Sequence, residues 1–423
     1  MAAVAAVLAA TALNAAGAPR QPSNTHPGAR RPEPIASDAG AQAVRESASV
    51  SPTRLAERAA LLKQGEAHLV KGDAKSALMA FDRAAMILHA ADTENSLVRS
   101  YMQAGEYRRA LAFAAHTAGA HLDATGGAAL YAWLLYAGGQ PEVAQRLLST
   151  ALESATDQSG IKTNAMLVAV QQQLRSGTPL ATGDLLKPPA RLAPYSDAQR
   201  LLEATKIKGS AVLLPGGTFA LMPLAWLPAS GNLWLRNGLG QLSKATTAQR
   251  FSSQGVAKVK LSTPLPFPPA QRIANLDAFA GSAGFAVDYV AAGSNPAWPV
   301  LHTGFLGRFI ANGPDRQLGI DMPAGARGGP VFDAAGQLTG IALTAANHTA
   351  DRLVSITALR SAGLKLVNSA PAEQSSASSL NTPSSSSSSS AVKRPPAQPA
   401  ARAAVDQIYE DSLKIALQVM TEK

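Results

Sequence analysis

The pattern that most restricts the fold of this chain is a turn that returns three times. Lys71-Gly72-Asp73, Ala104-Gly105-Glu106 and Gly138-Gly139-Gln140 stand 33 and 34 residues apart. Five residues beyond each central glycine is an alanine: Ala77, Ala110 and Ala144. An amphipathic helical pattern runs into each turn and another runs out of it. Glycine accepts the left-handed backbone angles that a tight turn between antiparallel helices needs. A small side chain lets the two helices cross closely. One such unit cannot bury its own apolar face, so the units must stack, and three are enough for a stable array. The spacing predicts helices over residues 53–178, with Ile161 to Leu174 as the closing helix that covers the last apolar face.

The first repeat is the fullest, with Gly65, Ala77, Phe81 and Ala84 at alternating small and large positions. The second keeps Tyr101 and Ala110, and the third is aromatic-rich before its turn, with Tyr131, Trp133 and Tyr136. This segment resembles the tetratricopeptide repeat (TPR). The resemblance implies an α-solenoid whose first helices form a concave face for a peptide or a partner domain. That face would show Glu66, Asn95, Arg99, Gln103, Trp133 and Tyr136. Arg99, Trp133 and Tyr136 are the candidate binding residues, since aromatic side chains and arginine most often dominate interfaces. Trp133 and Tyr136, at i and i+3, share one helical side. The alternative for both aromatics is a core or interdomain contact.

Residues 196–367 change character, with short apolar runs broken by Gly and Pro. The stretch Gly325-Ala326-Arg327-Gly328-Gly329-Pro330-Val331-Phe332-Asp333 is followed by Gly336-Gln337-Leu338-Thr339-Gly340-Ile341. Upstream lie Gly209 to Leu214 with the turn Pro215-Gly216-Gly217, then Met222 to Leu227, Gly255 to Leu261, and Gly281 to Val287. Over residues 209–365 these motifs resemble the trypsin-like serine proteases, which implies a double β-barrel. Arg327 stands at the family's nucleophile position, Ala225 at the position of the base, and Gly255 at that of the orienting carboxylate. A triad needs a nucleophile, a base and an orienting group, and a guanidinium stays protonated. The expectation is therefore a pseudo-protease, not an enzyme, with no catalytic residue. His302 and His348, the two histidines of this region, do not stand at the base position. Two roles are open for Arg327: holding an anion beside a nest of backbone amides from Gly325 to Gly329, or simply filling the vacant cleft or pointing to solvent.

The remaining segments set the context. A chain of 423 residues is long enough for two or three domains. Ala2 to Leu13 is apolar, Ala16-Gly17-Ala18 offers a small-x-small cleavage pattern, and Pro19 opens a polar stretch. Residues 1–18 thus read as a signal peptide without a leading basic residue, which leaves room for a start upstream of Met1. Residues 19–52 form a disordered lead, and residues 368–399, with seven serines from Ser384 to Ser390, a Ser/Pro-rich linker. Residues 400–423 read as an amphipathic C-terminal helix, with Val405, Ile408, Tyr409, Leu413, Ala416, Leu417 and Met420 on one side. Ile408 to Leu413 also resembles the lead-in helix that precedes the first strand of bacterial trypsin-like proteases. The chain has no cysteine, which excludes disulfides and thiolate chemistry. Its net charge of +10 is scattered rather than clustered, so no nucleic acid is expected. No metal, cofactor or transmembrane segment is expected either. The function implied is a periplasmic or secreted adaptor that binds a protein or peptide. A serine-type endopeptidase and a cytoplasmic TPR scaffold are the alternatives.

Overall fold

Among the described residues, six helices come first. They are α1 (Pro52–Val70), α2 (Ala74–Ala85), α3 (Ala91–Ala104), α4 (Tyr107–Ala120), α5 (Thr125–Ala137) and α6 (Pro141–Ser154). The computed structural model describes residues 50–121, 125–154, 168, 171–172, 205–289, 298–310, 315–323, 327–344, 351–366 and 402–422. The signal peptide, nearly all of the lead and of the closing helix, and the Ser/Pro-rich linker lie outside the described residues. So do Gly325, Ala326 and His348.

Local chemistry sets where the helices begin and end. Ser51 caps α1 by accepting from the Arg54 amide at 3.4 Å, with Pro52 in the first turn. Asp73 caps α2 by accepting from the Ser76 amide at 3.0 Å. Gly105 and Gly139 end their helices with φ of +77° and +84°, angles that side chains disfavour. Consecutive helices pack as pairs. Ala77, Ala110 and Ala144 are fully buried, and a Cβ at Gly65 would overlap the Phe81 ring. The small residues of the repeat therefore sit at the helix crossings.

Among the described residues twelve strands follow, in two closed antiparallel barrels of six. The first holds β1 (Thr205–Leu213), β2 (Phe219–Pro223), β3 (Leu233–Asn237), β4 (Leu242–Phe251) and β5 (Val256–Leu261). The second holds β6 (Ser282–Asp288), β7 (Val300–Phe309), β8 (Arg316–Ile320), β9 (Pro330–Asp333), β10 (Leu338–Thr344) and β11 (Asp351–Ser355), followed by a short helix, α7 (Ile356–Ser361). Two six-stranded barrels are the architecture that the trypsin-like resemblance implies. Ala211, Leu213, Met222, Leu235, Val259 and Val419 fill the first. Leu306, Leu318, Ile320, Val331 and Leu353 fill the second.

The sixth strand of the first barrel comes from the far end of the chain. Helix α8 spans only Val405–Ile415, and Ala416–Glu422 forms a strand, β12. The strand lies between β1 and β3, with Ala211 opposite Leu417 and Leu235 opposite Val419. This corrects two expectations. The C-terminal segment is not helical throughout, because β1 and β3 offer backbone partners on both its edges and a strand satisfies both. The second domain is not complete in residues 196–367, because residues 402–422 close its first barrel.

Helices and barrels share one continuous core. Leu130, Trp133 and Leu134 of α5, Val212 and Val256 of the first barrel, Val287 and Ile341 of the second, and Tyr409 of α8 belong to it. Tyr409 meets the Tyr107 ring of α4 edge-on at 4.5 Å. Its hydroxyl donates to the Pro299 carbonyl at 2.8 Å. Among the described residues no helix is long and apolar enough to cross a membrane.

Candidate functional site

The three positions singled out by the protease resemblance come together between the barrels. Ala225 sits in a single 3-10 turn, Leu224–Trp226, directly after β2. The Leu224 amide donates to the Gly255 carbonyl at 2.8 Å, which ties that turn to the start of β5. Gly328, next to Arg327, packs so closely that a Cβ there would come within 2.8 Å of both Pro223 and Trp226. Gly255 itself has φ of +70°. A Cβ at this glycine would lie 2.9 Å from the Arg352 guanidinium, so arginine occupies the space a side chain at 255 would take. Arg352 donates to the Gln254 carbonyl at 3.1 Å and pairs with Asp315.

Arg327 is turned into the protein and is 8% exposed. Its Nε donates to Asp351 Oδ2 at 3.0 Å, and Nη2 lies 2.9 Å from the same oxygen. Nη1 donates to the Pro323 carbonyl at 2.7 Å and Nη2 to that of Met322 at 3.1 Å. The planar fork thus meets one carboxylate and two carbonyls, the donor-rich geometry that suits guanidinium. Of the two roles open to Arg327, this arrangement is that of a cleft-filling side chain.

Two titratable groups feel this cation. Asp288, at the end of β6, is buried and pushed up to about 7 by loss of water. Hydrogen bonding from Ser210 and the positive charge of Arg327 oppose that rise. Ser210 Oγ donates to Asp288 Oδ1 and accepts from the Tyr289 amide at 2.7 Å. The Ser210 amide reaches the Arg327 carbonyl at 3.4 Å, so this buried cluster lies directly behind the arginine loop. His302, paired with Ala286 across β6 and β7, is pushed down to about 4, by burial first and by Arg327 second. Sequence reasoning missed Asp351, Asp288 and Ser210. A buried arginine needs acceptors for its donors, but the position of Asp351 becomes visible only once the barrel is closed.

The candidate residues of the helical array lie elsewhere. Arg99 on α3 pairs with Glu66 on α1, with Nη1 to Oε2 at 3.2 Å, and donates to Ser96 at 3.0 Å. Trp133 and Tyr136 are 5% and 9% exposed. Trp133 meets Trp298, just before β7, at 6.4 Å in an edge-on contact. The expectation that these two aromatics line an open peptide face is therefore corrected. Trp133 is an interdomain contact, and Tyr136 is buried in the same core.

No family model matches the chain, and no curated protein matches it. Solved structures with a related fold do. The Rv3671c protease from M. tuberculosis in its active form is 17% identical, with a TM-score of 0.30, over 41% of this chain and 86% of that one. Its inactive form is also 17% identical, with a TM-score of 0.29, over 41% of this chain and 95% of that one. The MamO protease domain from Magnetospirillum magneticum in its apo form is 17% identical, with a TM-score of 0.26, over 39% of this chain and 98% of that one. These neighbours correct the expectation of a chain that is not an enzyme, since they are named as proteases, one of them in an active form.

Proposed function

We propose that this chain is a secreted or periplasmic protein-interaction adaptor, in which a TPR-type array and a trypsin-like double barrel act as one binding body. The observation that carries the reading is an aromatic surface on the second barrel. Phe279, before β6, is 90% exposed, and Phe305 and Phe309 on β7 are 52% and 53% exposed. Gly281, two residues beyond Phe279, donates to the Leu306 carbonyl at 2.8 Å, which brings the three phenylalanines to one region. The buried Arg316 guanidinium lies 5.3 Å from the Phe309 ring and backs it from within. Exposed apolar side chains gathered in one patch are typical of protein-binding surfaces. The occupant in this reading is a protein or peptide segment that supplies apolar side chains.

The TPR assignment is supported by the period of the turns, the left-handed Gly105 and Gly139, and the buried Ala77, Ala110 and Ala144. The export assignment rests on the N-terminal pattern, and N-terminal sequencing of the native protein should begin at Pro19. A photo-crosslinking residue placed at 279, 305 or 309 in the native host should capture a protein. The same residue at Leu55 should not. Equal capture at every site would count against the surface. The adaptor reading does not depend on whether the barrel also cuts. The endopeptidase reading is decided separately, by whether a fluorophosphonate probe labels a serine of the full chain.

A further inference from the structure

Three of the seven histidines of this chain surround one carboxylate in the helical array. His89 lies in the loop after α2, Glu94 in the first turn of α3, His116 in α4, and His121 at the end of α4. His89 Nε2 is 2.5 Å from Glu94 Oε1, His116 Nε2 is 3.4 Å from the same oxygen, and His121 Nε2 is 3.4 Å from Glu94 Oε2. The His89 ring centroid is 5.9 Å from that of His116 and 5.2 Å from that of His121. Ligating atoms of His89, Glu94 and His116 all fall within 4.8 Å of one another.

Burial sets this cluster apart from a surface ion pair. The Glu94 side chain is 5% exposed. Glu94 Oε2 and His121 Nε2 are buried without a hydrogen-bond partner although they face each other. A buried carboxylate is costly without compensation. A divalent cation supplies that compensation, since imidazole nitrogen and carboxylate oxygen are its ordinary ligands.

We propose that His89, Glu94 and His116 form a three-ligand site for a zinc-class divalent cation, with His121 beside the second Glu94 oxygen. Bonds of about 2.0–2.1 Å to zinc place tetrahedral ligand atoms about 3.3 Å apart. The 3.4 Å separation of His116 Nε2 from Glu94 Oε1 matches that edge. His89 is half-exposed, so a small swing of its ring opens its closer contact to the same length. Three protein ligands leave the fourth tetrahedral position open. The cation joins the loop after α2 to α3 and α4 and so clamps the first repeat to the second.

The test uses the full chain, stripped of metal with a chelator and dialysed. Addition of Co2+ should give one equivalent of binding, with the visible d–d absorption of a four-coordinate ion, and Zn2+ should displace it. Zn2+ should also raise the melting temperature. The double variant His89→Ala/His116→Ala removes two half-exposed side chains and should keep its circular dichroism, but bind Co2+ about 100-fold more weakly or worse. Glu94→Gln tests the buried ligand, and His68→Ala is the control that should bind like the parent. Absence of stoichiometric uptake, or uptake that survives in the double variant, would overturn the proposal. So would equal loss in His68→Ala.

Discussion

Asp288 and His302 act on stability in opposite directions as pH changes. The folded chain holds the Asp288 proton up to about pH 7, whereas the unfolded chain releases it near 3.8. Stability from this group is present at low pH and is lost as pH climbs through that window. His302 stays neutral down to about 4 when folded and takes up a proton near 6.5 when unfolded. Its contribution is present above 6.5 and lost as pH falls toward 4. The two slopes partly cancel in the parent chain. Asp288→Asn should leave stability rising from pH 4 to 6.5, and His302→Gln should leave it falling from pH 4 to 7. Denaturant titrations of the two variants across this range check the prediction, and identical slopes in all three proteins would refute it. The arginine at 327 was visible in the sequence as a misfit within a known turn. Its destination was not, because Asp351 is reached only through the closed second barrel.

Helix turns and strand edges differ in how openly the sequence announces them. Gly72, Gly105 and Gly139 announced the helix pairs because a positive φ narrows the choice of residue to glycine. Residues 416–422 did not announce a strand. Ala416 to Thr421 are buried on both sides, so the run lacks the alternation that marks a half-exposed strand, and helical spacing fits the same residues. The residues around Glu94 also left a trace, a four-residue gap between His89 and Glu94 and again between His116 and His121. That trace means little until α3 and α4 are packed together. Gly139 offers a test at this scale. A Cβ there would lie 2.5 Å from Leu301 Cδ2 and 3.1 Å from the Leu301 carbonyl. At Gly231, which has a similar φ, a Cβ would meet nothing within 4 Å. Gly139→Ala should therefore destabilise by roughly 1–3 kcal/mol more than Gly231→Ala in chemical denaturation. Equal losses would mean that α5 and α6 do not press on β7.

At the scale of the molecule, one core spans the array, both barrels and α8, so unfolding should be a single event. Trp133→Ala removes a large side chain from the seam and should cost about 3–5 kcal/mol. Calorimetry should still show one transition, shifted downward. Two separate transitions would mean that the array folds apart from the barrels. The repeats and the two-barrel pattern were legible in the sequence because each repeats a local signal. The return of the chain end to the first barrel was not, since it depends on which backbone edges β1 and β3 leave open. That return is the centre of the account: α8 touches the array through Tyr107, the second barrel region through Pro299, and β12 closes the first barrel. The most direct measurement places a specific protease site within Ser384–Ser390, cuts the purified full chain there, and passes it over a sizing column without denaturant. The account predicts that the cut C-terminal piece co-elutes with the rest and leaves only when denaturant unfolds the barrels. A C-terminal piece that elutes alone, while the remainder keeps its native circular dichroism and melting temperature, would contradict it.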